Sequence, residues 1–274
     1  MFYGCGLCCW ENGRRFLHLK KIDVILLMLL LYGATFAAFW ATSVRTLNLN
    51  PTADSYSWQS VPLANNGGSD NFEITSYNQP PYNMRGWIQF NVSTVPQNVW
   101  ILSATLRLRL WHKTTDTPPQ MGDPTGRVYG VYELTQPWSD WGVNWANQPP
   151  WTDYHSATAP IPPGQGGWSG PYVWMEWDLT NIVKDWQSGV PNYGTVVRDT
   201  QENASLLYST QFFTIHRVPS SLFFPRLVVT YLYPDGGYAA IVAFLIETAL
   251  IGSFLVKSRR RNNFSDTSLN ESNK

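Results

Sequence analysis

The sequence predicts an all-β fold: a jelly-roll-type β-sandwich with one short helix, flanked by two apolar helices long enough to span a bilayer. Three observations lead there. Segments between residues 46 and 233 alternate apolar and polar side chains with a period of two. Breakers rich in Gly, Pro and Asn separate those segments. Two long apolar stretches lie outside them, one towards each end of the 274-residue chain.

The first apolar stretch occupies residues 22–44. Val24 to Val44 holds no charged residue, and Arg14, Arg15, Lys20 and Lys21 precede it. Positive charge marks the cytoplasmic side, so residues 1–21 are expected inside. Thr35-Phe36-Ala37 would tolerate signal-peptide cleavage, but the apolar run continues to Ala41 through the bulky Phe39-Trp40 pair. A retained anchor is therefore expected. The second stretch, 237–256, is followed by Lys257, Arg259, Arg260 and Arg261, a stop-transfer pattern. The tail, 257–274, is then cytoplasmic, and its polar part from Asn262 to Lys274, rich in Asn and Ser, reads as disordered. Residues 46–233 fall outside the cell. Glu247 lies within the second stretch, where an ionised carboxylate costs about 2.5–3.5 kcal/mol. Such a residue is expected to be protonated or to face a partner helix.

Between the two stretches, Trp100 to Trp111 shows the clearest strand pattern. Ala104, Leu106, Leu108 and Leu110 alternate with Thr105, Arg107, Arg109 and Trp111. The aliphatic face is expected in the core and the other at least partly wet. Tyr172 to Leu179 alternates too, with Val173, Met175, Trp177 and Leu179 opposite Tyr172, Trp174, Glu176 and Asp178. Arg226 to Leu232 is apolar or β-branched on both faces and suits an inner strand. Weaker signals fall at 72–77, 85–92, 127–134, 195–199 and 212–217. Thr180 is a plausible N-cap for a short helix carrying Ile182, Val183 and Trp186 on one face, with Gly189 placed to end it.

Composition narrows the function. Residues 46–233 hold nine Lys/Arg against thirteen Asp/Glu. No basic patch of the kind nucleic acid requires is present there. The only cysteines are Cys5, Cys8 and Cys9, before the first apolar stretch, so the outer domain folds without disulfides. Cys5 and Cys8 have the spacing of a metal knuckle but lack the second pair a tetrahedral site needs. Twelve of the 14 Trp lie between residues 46 and 233, a concentration common in extracellular β-domains that touch sugars.

A set of ordered motifs spans Pro51 to Leu232. Ala53-Asp54-Ser55-Tyr56 comes first, then Asn65-Asn66-Gly67, and then the arginine-led strand Arg85-Gly86-Trp87-Ile88-Gln89-Phe90-Asn91. Val95-Pro96 precedes the alternating strand. Trp138-Ser139-Asp140 and Asn144-Trp145-Ala146-Asn147-Gln148-Pro149 form a pair of Trp-bearing elements. Trp177-Asp178-Leu179-Thr180, Ile182-Val183, Trp186 and Gly189-Val190-Pro191-Asn192-Tyr193-Gly194 follow, and Pro225 to Tyr231 closes the series. In order and spacing this segment resembles the DNRLRE domain family, related to the disaggregatase repeats and to carbohydrate-binding module family 96. It departs from that family where a Ser-Arg-Glu element usually precedes the last strand. Here Tyr208-Ser209-Thr210-Gln211 stands instead, with Ile215-His216-Arg217 later. The resemblance implies a β-sandwich placed outside the cell and, in some members, polysaccharide binding.

No catalytic constellation emerges. His112, His155 and His216 form no metal-binding pattern, and Gly167-Trp168-Ser169-Gly170-Pro171 fails as a nucleophile elbow. Glu133, Asp140, Glu176 and Asp178 offer carboxylates but no singled-out pair. Sugar binding needs flat aromatic faces beside hydrogen-bonding groups. Trp138, Trp145, Trp177 and Trp186 fit the apolar pattern and are assigned to packing. Trp111, Trp151, Trp168 and Trp174 are the ligand candidates, with Arg107 and Arg109 placed to hold an acidic polysaccharide. Asp54, Asn66 and Asp178 supply the hard oxygen ligands a structural Ca2+ would take, and Asx turns explain the same residues equally well. No other cofactor is expected. Asn91 and Asn203 head glycosylation sequons on the outer side.

The sequence thus leads to a membrane-anchored cell-surface protein whose non-catalytic sandwich binds a polysaccharide or envelope glycan, with the lipid bilayer as its second partner. The alternative is a structural or adhesive envelope module acting through protein contacts, and behind it a glycan-processing enzyme.

Overall fold

Alternation along the longest strand organises the structure. The computed structural model describes residues 21–79, 81–113, 124–161, 173–216, 221–233, 241–253 and 256. The chain divides into two units, Met1–Ser43 with Asp235–Lys274, and Val44–Pro234.

In the first unit, helix α1 (Lys21–Ser43) packs against a helix over residues 241–253. The Tyr32 and Phe244 rings lie 4.7 Å apart, and the Tyr32 hydroxyl is 3.0 Å from Thr248 Oγ1. Thr35 Oγ1 donates to Glu247 Oε1 at 2.5 Å, so the glutamate meets a polar partner on α1. Large apolar side chains remain exposed on both helices, Leu30 at 71% and Leu250 at 64% among them. Among the described residues, no helix is long and apolar enough to cross a membrane.

The second unit is built from eleven strands. They are β1 (Val44–Leu49), β2 (Pro51–Trp58), β3 (Asn71–Ser76), β4 (Met84–Phe90), β5 (Trp100–Lys113), β6 (Val128–Leu134), β7 (Trp151–Pro160), β8 (Trp174–Asp178), β9 (Thr195–Asp199), β10 (Tyr208–Phe213) and β11 (Arg226–Leu232). Helix α2 (Thr180–Gln187) sits between β8 and β9, and a 3₁₀ turn (Ser221–Phe223) between β10 and β11. One sheet runs β1–β11–β5–β8, all antiparallel. The other runs β2–β4–β9–β6–β7. The far end of β5 pairs with β10, which pairs with β3, and a single Thr75–Met84 pairing joins β3 to β4. The 14-residue β5 therefore belongs to both layers.

The layers share one core. Ala104, Leu106, Leu108 and Leu110 of β5 are fully buried with Trp177, Leu227 and Val229 on one side. Phe72, Ile74, Ile88, Phe90, Tyr129, Val131, Val197 and Phe212 face them from the other. This is sandwich packing, with apolar faces of two sheets interdigitated. The Trp177 indole N–H donates to the Tyr129 carbonyl at 2.9 Å across the core, and the Tyr129 hydroxyl donates to Thr210 Oγ1 at 2.8 Å. The Trp177 indole and the Tyr129 hydroxyl are thus each paired within the core, as low-dielectric surroundings favour. Gly86 belongs to this packing: a Cβ there would come within 2.4 Å of the Phe72 ring.

Several expected elements shift. The strand read at 212–217 is β10, which ends at Phe213, because its pairing with β3 begins at Tyr208 and Thr214 leaves the ladder. Trp151 begins strand β7 and is not in a loop. Thr180 is the first helical residue of α2; Leu179 occupies the N-cap and makes no side-chain cap bond. Ile182, Val183 and Trp186 form the buried face of α2, and Gly189 follows with φ +105°, a conformation suited to glycine.

Leu108 is fully buried between the layers. Leu108→Ala is expected to lower the unfolding free energy by about 2–5 kcal/mol through lost burial and the cavity left behind, measured by urea denaturation.

Candidate functional site

The outer face of the β1–β11–β5–β8 sheet carries a cationic and aromatic cluster, placed there by strand register. Inward positions of β5 fill the core, so Thr105, Arg107 and Arg109 point outward. On β8, Trp174 pairs opposite Arg109 and Glu176 opposite Arg107. On β11, Arg226 pairs with Arg107 from the other side. Three guanidinium groups and two carboxylates, Glu176 and Asp178, thus share one flat surface.

The Arg107 guanidinium lies 5.1 Å and the Arg109 guanidinium 5.4 Å from the half-exposed Trp174 ring. Arg109 also lies 4.5 Å over Phe223, which the 3₁₀ turn brings onto this face. Arg107 Nε and Glu176 Oε1 form an ion pair 2.8 Å apart, with side chains 35% and 53% exposed. An ion pair that open to water contributes about 0–1 kcal/mol. Towards the start of β5 the same sheet borders a polar groove of about 640 Å³ lined by Ser103, Thr105, Ser156, Thr158, Asp178 and Asn181. Hydroxyl and amide groups suited to sugar hydroxyls line it.

The segment 45–213 matches the family model of carbohydrate-binding module family 96. The chain belongs to that family. A search of curated proteins finds no match. Membership in family 96 makes the Val44–Pro234 unit a carbohydrate-binding module by descent and leaves the ligand-contacting residues to be read from the geometry.

The family 96 structure splits the six ligand candidates. Arg107, Arg109 and Trp174 come together as described. Trp111 does not join them as an exposed platform: it is 8% exposed, with its ring 5.8 Å from Phe213, which in turn stacks on Phe223 at 5.0 Å. Phe213, the last residue of β10, packs against the indole. Trp151 belongs to the opposite sheet. Trp168 lies outside the described residues. Phe223 and Arg226 were not among the sequence candidates, because only strand pairing and the turn between β10 and β11 bring them to Arg107 and Arg109.

Trp151 serves a different cluster. Arg85 is held by Glu202 through two bonds of 2.7 and 2.6 Å and donates to Gln148 Oε1 at 2.8 Å. Trp145 and Trp151 stack on its guanidinium at 4.4 and 4.9 Å. Arg198 joins the same Glu202 carboxylate at 3.0 Å. The Arg85 and Glu202 side chains are only 12% and 9% exposed. Beside them Trp87, Tyr132, Leu134, Val143 and Val196 form a second core, with Trp138 and Trp151 packed on it. The arginine of the family motif is therefore an internal fastener here.

The three calcium candidates are not gathered into one site. Asp54 stands on β2 and Asp178 on β8, strands of different sheets. Asn66 Nδ2 donates to the Tyr56 carbonyl, ten residues back, at 3.0 Å, and Asp178 Oδ1 accepts from the Thr180 amide at 2.9 Å, a local Asx-turn bond. Among the described residues no group of three or more His, Cys, Asp or Glu could hold a metal. Of the sequons, Asn91 is exposed and its Oδ1 accepts from the Ser93 amide, while exposed Asn203 accepts from Asn83 Nδ2 at 2.8 Å.

Asp54 is fully buried. Its Oδ2 accepts from the Ile215 amide at 2.8 Å, and His216 Nε2 stands 3.5 Å from Oδ1. Burial pushes its carboxyl up to about 7, against the lowering effect of the Ile215 amide and with a small further rise from Asp140. The folded state therefore holds this proton where the unfolded chain has released it. Stability from this group is present below the ordinary carboxylate range and is lost as pH rises through about 7. Asp54→Asn is expected to remove that decline, which chemical denaturation at pH 4, 5.5 and 8 would measure.

The two arginine clusters are expected to answer truncation differently. Arg85→Ala leaves Glu202 with one partner in a nearly closed site and is expected to cost about 3–5 kcal/mol. Arg107→Ala, at the open Glu176 pair, is expected to cost under about 1 kcal/mol. Thermal melts of the two variants side by side check this.

Proposed function

We propose that this protein is a membrane-anchored cell-surface module that binds an acidic polysaccharide on the outer face of the β1–β11–β5–β8 sheet and carries out no reaction on it. The observation that supports this most is the convergence of Arg107 and Arg109 on half-exposed Trp174, with Arg226 alongside. An indole face takes the C–H face of a sugar ring, and guanidinium groups take its carboxylates. The rest of residues 46–233 leans acidic, so this patch would draw an anionic chain to one face and repel it elsewhere. The hydroxyl-lined groove extends the surface for a ligand lying along β5.

Anchoring rests on two supports. Positive residues flank both apolar stretches on the sides that place residues 46–233 outside the cell. The α1 and 241–253 helices leave wide apolar surface exposed while burying their polar contact, Thr35 with Glu247, between them. Lipid is the solvent such a surface suits.

Calorimetric titration of the full chain in detergent with an acidic and a neutral polysaccharide tests the binding reading. Trp174→Ala and Arg109→Ala are each expected to weaken acidic-polysaccharide binding by about tenfold or more, and added salt should weaken it further. Equal affinity for the neutral polymer, or no change in either variant with folding intact, would overturn the reading.

A further inference from the structure

We infer that the end of the sandwich bearing Trp100 is a second interaction surface, which rests in the polar–apolar interface of the lipid bilayer. The inference builds on the anchoring reading above, and it concerns a face that neither the polysaccharide site nor the core uses.

Strand register supplies the first argument. Val44 pairs with Leu232, and Leu232 pairs with Trp100. One row across three strands therefore holds the first residue of β1, the last of β11 and the first of β5. Helix α1 ends at Ser43 and β1 begins at Val44, with no linker between them. Neighbouring strands lie about 4.8 Å apart, so the Trp100 backbone is about 10 Å from the point where α1 enters the sandwich. If α1 emerges from a bilayer, this row cannot be far from its surface.

The side chains supply the second. Trp100 is 63% exposed and Leu102 is 41% exposed, although most large apolar side chains of the sandwich are buried. Tyr233, just past β11, is half-buried with its ring 5.5 Å from Tyr231. Exposed Lys184, in the last turn of α2, lines a shallow groove of about 530 Å³ with Trp100, Gln97, Asn98 and Gln187. An indole and a phenol at one level, with a lysine and amides beside them, match the chemistry of the interface: apolar rings enter the acyl boundary while N–H, O–H and ammonium groups meet headgroups.

The consequence reaches the binding site. Arg107 and Arg109 stand seven and nine residues along β5 from Trp100, about 23–30 Å at strand rise. On this reading, lipid and polysaccharide contact different stretches of one strand.

The test is photo-crosslinking of the full chain in liposomes of neutral and anionic phospholipid. A benzophenone amino acid is placed singly at Trp100, at Leu102, at Leu29 of α1, or at Trp174 opposite Arg109. Lipid adducts several-fold above the Trp174 background are expected at Trp100 or Leu102, approaching the yield at Leu29. Adducts at Leu29 with Trp100 and Leu102 both at the Trp174 level would overturn this inference and leave the anchor standing. No adduct at Leu29 either would overturn the anchoring reading, and this inference with it.

Discussion

The register of β5 is the constraint on which the rest depends. This strand joins both layers, and its two faces do opposite things. Ala104, Leu106, Leu108 and Leu110 sit in the core with no exposure, while Arg107 and Arg109 face outward beside Trp174. A slip of one residue would drive two guanidinium groups between the sheets and put four aliphatic side chains in water. The cost of that exchange fixes the alignment of β8 and β11 against β5, and so the places of Trp174, Glu176 and Arg226. The core and the cationic face are therefore two sides of a single alignment.

The protein uses arginine in two physical regimes. Arg85 is nearly enclosed, doubly bonded to Glu202 and stacked between two indoles, so its bonding capacity is spent internally. Arg107 stands in water with a mobile-length carboxylate beside it, and solvent screens that pair. The same residue type on the same kind of strand thus fastens one sheet and presents charge from the other. What differs is coverage. The segment 135–150 lies over the β4–β9–β6 face and supplies Trp138, Trp145 and Gln148, whereas on the other sheet, among the described residues, Phe223 lies against Arg109 and Glu176 is exposed.

Uncovered faces also give the molecule a direction. Aromatic and basic groups gather at the end of the sandwich where the chain continues into its terminal helices, and the cationic face begins seven residues further along β5.

Much of this was legible in the sequence. Period-two alternation marked β5, β8 and β11 and divided their side chains between two faces; the cysteine-free Trp-rich segment and its flanking apolar stretches marked out the sandwich. These are local properties, since a side chain's face on a strand depends only on the backbone pleat. Whether an outward side chain stays outward is not local. Trp111 has the parity of Arg107 and Arg109, yet Phe213 packs against it. Trp151 reads as a ligand candidate and instead stacks on the enclosed Arg85. Asp54 and Asp178 looked like partners and belong to different sheets. Each of these was decided by segments distant in the chain folding across a face, and pattern along a strand carries no information about what folds over it.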